Sequence, residues 1–174
     1  GLTKLSACAF KGCRSLSSIT IPDIVTEVPE SVFKYCSPLK TVDMPGVVTS
    51  IGKFAFDGCE NLTSVTLSES LESIGDFAFR ECKSLTTITI PASVKSIGAW
   101  AFFDCTNIEK VYCYATTPPS LGWAAFMRTD RNPNIRGAAM PLFMNCKIYV
   151  PAASVAAYKS AAGWSDYAHQ IVGF

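Results

Sequence analysis

Phenylalanine recurs at one fixed interval in this chain: Phe10, Phe33, Phe56, Phe79 and Phe102 stand 23 residues apart. Cys13, Cys36, Cys59, Cys82 and Cys105 keep the same step, as do the apolar columns Leu16, Leu39, Leu62, Leu85, Ile108 and Val28, Ile51, Ile74, Ile97. Such self-similarity means one small structural unit repeated, each unit able to bury its apolar edge only against its neighbours. The chain must therefore fold as a stack of coils.

Within a coil, the string from Leu85 to Ile90 alternates in its second half, so Ile88 and Ile90 face the core while Thr87 and Thr89 face out. That half is a strand, and stacking coil on coil at about 4.8 Å makes a parallel sheet. Pro22, Pro45 and Pro91 end the strand because proline has no N–H for the ladder, and Gly52, Gly75 and Gly98 supply turns. The Ile-Gly-x-x-Ala-Phe-x-x-Cys stretch reads as a short helical or 3₁₀ segment on the opposite face. The period lies inside the roughly 20–29 residues of leucine-rich repeats. The expected fold class is an α/β repeat solenoid, a leucine-rich-repeat right-handed superhelix with a parallel β-sheet on one face and short helical or 3₁₀ segments on the other.

The register also divides the chain, which reads as a single domain over residues 1–174. Residues 2–126 hold five coils of 23 or 24 residues, residues 127–144 lose the period and read as an insertion, and residues 145–174 carry a last strand and a closing cap. In that cap a short helix starts near Ser154 and ends at Gly163, with Trp164, Tyr167 and Ile171 plugging the open core. Leu2 and Leu5 already stand in register, so further repeats or a cap are expected upstream.

Composition narrows the function classes. Fifteen basic against fourteen acidic residues give a formal charge of +1, which offers no bulk field for nucleic acid or an anionic membrane. No apolar run approaches the ~20 residues of a membrane span. Of eight cysteines, five fall in one column and point the same way, which favours an inward ladder of free thiols over a disulfide web. Aligning Val111-Tyr112-Cys113 with Ile148-Tyr149-Val150 puts Cys146 roughly 13 Å along the strand from Cys113, too far for a bridge. No Cys-x-x-Cys pair suggests a metal, no glycine-rich phosphate loop is present, and His169 is the sole histidine. No cofactor is expected and the chain is not expected to be an enzyme.

Three features could bind a partner. The outward strand columns read Ser18, Thr41, Ser64, Thr87, Lys110 and Thr20, Asp43, Thr66, Thr89, Tyr112, with Tyr114 beyond. Plain β-propensity on a solvated face is the favoured account of the threonines. Phe54, Phe77 and Trp100 form another column, either packed beside the core or exposed as an apolar strip. The insertion carries Arg128, Arg131 and Arg136, and either binds or shields the end of the array. The candidate contact residues are thus Thr66, Thr89, Lys110, Tyr112, Tyr114, Arg128, Arg131 and Arg136.

The pattern Ala-Phe-x-x-Cys-x-x-Leu-x-x-Ile-x-Ile-Pro resembles the BspA-like leucine-rich repeats over residues 2–126, and the tail from Ile148 to Trp164 is similar to the segment that often closes such arrays. Val28-Pro29, Ser31-Val32 and Ser68 depart from it locally. The resemblance implies a bacterial or protist protein, secreted or attached to the cell surface, whose repeats adhere to host proteins or other cells. It brings no catalytic residues. The expected function is a noncatalytic extracellular or cell-surface protein-interaction or adhesion module. A carbohydrate-binding module using Tyr112, Tyr114 and Trp123 is the alternative, with a passive spacer as a third. The expected partner is a protein, with a glycan as the alternative, and no nucleic acid and no membrane insertion are expected.

Overall fold

A computed structural model describes residues 4–129, 139–141 and 146–174. Two kinds of strand alternate along it: β1 (Ser18–Thr20), β2 (Glu27–Val28), β3 (Thr41–Asp43), β4 (Ser50–Ile51), β5 (Ser64–Thr66), β6 (Ser73–Ile74), β7 (Thr87–Ile90), β8 (Ser96–Ile97), β9 (Lys110–Cys113) and β10 (Ser120–Leu121). There follow β11 (Met127–Thr129), β12 (Ala139–Pro141), β13 (Lys147–Val150), the helix α1 (Val155–Ser160) and β14 (Ile171–Gly173). The odd strands up to β9, with β13 and β14, build one face as two parallel ladders, β1-β3-β5 and β7-β9-β13-β14, adjoining where β5 meets β7. The even strands β2 to β10 build a second parallel sheet of five short strands. Register is one coil per step, as in Ser18 opposite Thr41 and Thr41 opposite Ser64.

A row of tight turns forms the third side, where a short helical or 3₁₀ segment was expected. In residues 54–59 the N–H groups of Phe54, Phe56 and Gly58 donate to carbonyls of Asp76, Ala78 and Arg80 in the next coil, at 3.0, 2.7 and 2.8 Å. Those of Ala55, Asp57 and Cys59 donate within the coil to residues three back, at 3.3, 3.2 and 3.1 Å. The 3₁₀-type bond thus survives at alternate residues, but no helix propagates, because every second donor is committed to the neighbouring coil. Among the described residues this turn recurs six times, at 8–13, 31–36, 54–59, 77–82, 100–105 and 124–127, with the five expected coils between them. The departures leave the path intact: Ser68 makes the same turn as proline, accepting from Leu71 N at 3.0 Å, and its hydroxyl takes Ser70 N at 3.1 Å.

Identical side chains lie over one another inside. Phe10, Phe33, Phe56, Phe79, Phe102 and Phe126 stack at 5.5, 5.3, 5.1, 5.2 and 5.1 Å between centroids, nearly parallel throughout. The cysteines beside them are free thiols. Each of Cys36, Cys59, Cys82 and Cys105 donates to the carbonyl of Phe10, Phe33, Phe56 and Phe79, at 2.8, 3.1, 3.3 and 2.9 Å, so the column ties each coil to the one before. Burial pushes the thiols of Cys36, Cys59 and Cys82 above their ordinary pKa, and that of Cys146 up to about 11. Gly75, Gly98 and Gly122 form a column of necessity, since a Cβ on Gly98 would stand 2.4 Å from Asp76 N and 2.6 Å from Gly75 C.

The C-terminal segment lies against the last turn. Trp164 and Tyr167 are buried against Phe126 and Tyr158 against Trp164, and their polar tips find partners: Trp164 Nε1 donates to Pro119 O at 2.7 Å, Tyr158 Oη to Ala115 O at 2.8 Å, and Tyr167 Oη accepts from Phe126 N at 3.2 Å. Ser154 precedes α1 but makes no cap bond. Its hydroxyl instead donates to Thr116 O at 2.7 Å and pins the cap to the fifth coil. The helix ends at Ser160, ahead of the expected Gly163, which at φ 79° starts a separate 3₁₀ turn.

Two outcomes follow from this packing. A thiol-reactive maleimide should label the native chain at Cys8 and more slowly at Cys13, which are exposed and half-exposed, and reach all eight cysteines only in denaturant, read by mass spectrometry. Gly98→Ala should destabilise the chain by about 3 kcal/mol, seen as a lower urea midpoint, because the added methyl meets backbone that cannot rotate away.

Candidate interaction surfaces

Alternation within each strand decides what the main sheet shows to solvent. Ser18, Thr20, Thr41, Asp43, Ser64, Thr66, Thr87 and Thr89 are all exposed, while Val42 and Ile88 are buried between them. The next two strands break this small, hydroxyl-rich pattern. Lys110 stands directly opposite Lys147, and Tyr112 directly opposite Tyr149. The tyrosine rings stack at 4.8 Å and 16°. Beside them Tyr114, 46% exposed, meets Phe174, 51% exposed, edge to face at 5.2 Å.

Five of the expected contact residues, Thr66, Thr89, Lys110, Tyr112 and Tyr114, therefore share this face. Arg128 does not join them. It lies on β11, which leaves the coil from the turn side and pairs antiparallel with β12. Asp104 fixes that departure, its carboxylate accepting from Thr129 N and Thr129 Oγ1, both at 2.7 Å. Arg131 and Arg136 lie outside the described residues. Lys147, Tyr149 and Phe174 were not among the expected residues, although the alignment of Tyr112 with Tyr149 already carried the signal for two of them.

The turn side has its own aromatic column. Phe54, Phe77 and Trp100 are half-buried and stack at 4.8 and 6.0 Å, and Trp123, 63% exposed, leans edge-on against Trp100 at 4.7 Å. The neighbouring column supports them electrostatically. Asp57 is fully buried and paired to Lys34 at 2.9 Å and to Arg80 at 2.7 Å, one cation from each adjacent coil. Lys34 also lies 4.1 Å over Phe54, and Arg80 5.6 Å from Phe77. Burial disfavours the Arg80 charge, but the hydrogen-bonded carboxylate of Asp57 outweighs it and raises the guanidinium pKa. Lys34, Asp57 and Arg80 are one coil apart in sequence, a signal that the periodicity already contained.

Chemistry-bearing groups are posed for structure. Each thiol from Cys36 to Cys105 is directed at a carbonyl, and His169 stands exposed on the cap. Among the described residues no three His, Cys, Asp or Glu side chains are arranged to hold a metal ion, and no helix is long and apolar enough to cross a membrane.

Against known proteins, the family described as BspA type leucine rich repeat region matches residues 1–131 in six copies. A leucine rich repeat protein of T. pallidum is 32% identical over 64% of this chain and 54% of its own, with a TM-score of 0.62. One from Bacteroides capillosus is 31% identical over 59% of this chain and 80% of its own, with a TM-score of 0.52. A leucine rich cell surface protein of Faecalibacterium prausnitzii is 25% identical over 67% of this chain and 33% of its own, with a TM-score of 0.55. The chain thus spans about half the length of the treponemal protein and a third of the last. No curated protein matches.

The buried ion triplet gives a direct test of the turn side. Asp57→Ala should lose about 2 kcal/mol by urea unfolding, below the roughly 3–5 of a fully buried pair because both cations reach solvent. Trp123→Ala should change the midpoint little.

Proposed function

We propose that this chain, which belongs to the BspA type leucine rich repeat family, is a noncatalytic protein-interaction module working at or outside the cell surface, with the exposed main sheet as its contact face. The observation that carries this reading is the change in that face at its C-terminal end. Small hydroxyl side chains give way there to the stacked Tyr112 and Tyr149, with Tyr114 and Phe174 beside them. Tyrosine offers large contact area with few rotatable bonds and a polar tip, which is why interfaces are enriched in it. The strands beneath are held by ladder bonds on both sides, so little ordering entropy is lost on association. Repeat solenoids commonly bind through such extended faces. A surface location is supported by the Faecalibacterium relative, described as a leucine rich cell surface protein. The noncatalytic reading is supported by the thiols and the histidine, none of which is posed with a base.

Ring geometry favours a protein over a glycan on this face. Sugars stack on open aromatic faces, whereas Tyr112 and Tyr149 cover each other and stand in register between Thr89 and Val172. Trp123 is the residue that speaks for the glycan reading, being 63% exposed with no ring stacked parallel to it.

Adhesion of the fluorescent chain to cultured epithelial cells tests the reading. Binding should fall when the cells are treated with trypsin, persist after glycosidase treatment, disappear in the double variant Tyr112→Ala, Tyr149→Ala, and survive in Trp123→Ala. Binding that glycosidase removes, or that the tyrosine variant retains while properly folded, would sink it.

A further inference from the structure

The C-terminal end of the sheet sets like charges side by side. Four other lysines meet carboxylates one coil away, Lys34 with Asp57, Lys53 with Asp76, Lys83 with Glu60 at 2.7 Å and Lys95 with Glu72 at 2.8 Å. Lys110 and Lys147 instead stand directly opposite each other in the ladder. Among the described residues neither forms an ion pair, and Glu109, which precedes Lys110, pairs with neither. Like charges in register are unfavourable by a few tenths to about 1 kcal/mol. Folding gains nothing from this pair. Such a local conflict, with no ion pair among the described residues to relieve it, marks a surface shaped for something outside it.

Apart from Glu109, the neighbours of the two lysines on this face suit a partner of negative sign, as the lysines do. Because Tyr112 and Tyr149 cover each other's faces at 4.8 Å, what they turn outward is ring edge and phenol hydroxyl. The edge is the positive part of an aromatic quadrupole and the hydroxyl is a donor. The acidic residue within the strands of this face, Asp43, lies in the second coil, separated from Tyr112 by Thr66 and Thr89. Two ammonium groups, two hydroxyls and two ring edges therefore converge on one small area, all of them suited to an anion.

We infer that this end of the sheet, as part of the contact face proposed above, recognises an acidic segment of a protein partner, with a carboxylate seated between Lys110 and Lys147. The shape favours polypeptide over an anionic sugar chain, since the rings beside the lysines, Tyr112 and Tyr149, cover each other rather than offer an open face to a pyranose. An extended segment also matches the layout. Along one strand Tyr114 stands four residues from Lys110, about 13 Å away at the rise of a β-strand. It meets Phe174 there as an apolar contact beyond the charged one. The matching segment carries an acidic side chain and, about four residues away, an apolar one.

The test uses the whole chain with fluorescein-labelled polyglutamate as probe, followed by anisotropy at low salt, with heparin as the competing polyanion. Polyglutamate binds, and Lys110→Glu with Lys147→Glu weakens it at least about tenfold. The charge-matched control Lys11→Glu with Lys159→Glu leaves it within about twofold. Tyr112→Phe, which keeps the ring and removes the hydroxyl, weakens it by a smaller factor. The assignment fails if polyglutamate does not bind, if both reversal variants weaken it equally, or if heparin binds more tightly through the same two lysines. Epithelial-cell adhesion separates this failure from that of the parent reading. Loss in the Tyr112, Tyr149 double variant with full retention in the Lys110, Lys147 variant keeps the sheet as contact face and overturns the acidic partner. Retention in both overturns the two together.

Discussion

A coil of this protein has almost no structure of its own; it is held by the hydrogen bonds it exchanges with the coils on either side. On two sides those bonds are parallel ladders, and on the third they are the alternate N–H groups of the turn, as in Phe54, Phe56 and Gly58 donating to Asp76, Ala78 and Arg80. Because all three sides are bonded in one register, every residue of the first four coils lies over the one 23 positions on, and the fifth coil, one residue longer, keeps the stack at a step of 24. The side-chain ladders are a consequence. Stacked phenylalanines, carbonyl-directed thiols and a column of glycines where coils touch backbone to backbone are what that single spacing permits.

The same constraint explains the aromatic stripe on the turn side without a ligand. Each of the first five turns needs two residues at positive φ, four apart, such as Phe54 with Gly58, Phe77 with Glu81 and Trp100 with Asp104. For a residue with a Cβ this conformation is unfavourable by roughly 1–2 kcal/mol. It persists because the bonds to the next coil hold it. The side chain at the first of these positions points out of the coil toward its counterparts, and stacking them returns about 0.5–1.5 kcal/mol per pair. Phe54, Phe77 and Trp100 thus offset part of the strain of their own backbone, and the Lys34–Asp57–Arg80 triplet braces them from the side. The stripe is a structural element first.

What could be read from the sequence divides along this line. The columns, the inward cysteines, the register of Val111 with Ile148 and the plug of Trp164 and Tyr167 were all legible, because each depends on period and polarity. The turn reads in sequence as a short helical or 3₁₀ segment because Ala, Phe and Cys at spacings of one and three put apolar residues where a helical face would also put them, and the 3₁₀-type bonds are present at alternate residues. Sequence polarity does not reveal that alternate N–H groups leave the coil. The five coils counted from the sequence lie between six turns, from Phe10 to Phe126, so the two counts agree. Lys147 and Tyr149 are not among the expected contact residues, although aligning Val111 with Ile148 already sets them beside Lys110 and Tyr112. They follow an interruption of the period and so belong to no repeated column.

That rung is where stacking and recognition separate. Residues facing the core must satisfy their neighbours in both adjacent coils, so a change in one column propagates and the repeat holds it constant. Outward residues on the sheet meet only the side chains above and below, with interactions of a few tenths to about 1 kcal/mol that the stack can lose without unfolding. Ser, Thr and Asp in the first four coils are what β-propensity and solubility alone would choose. The pair Lys110 and Lys147 is not, since it repels, and the stacked Tyr112 and Tyr149 offset that repulsion by about as much as it costs. The fold is nearly indifferent to these four residues taken together. Their identity therefore answers to a demand other than stacking, and the local concentration of positive edges, hydroxyls and ammonium groups says of what sign that demand is.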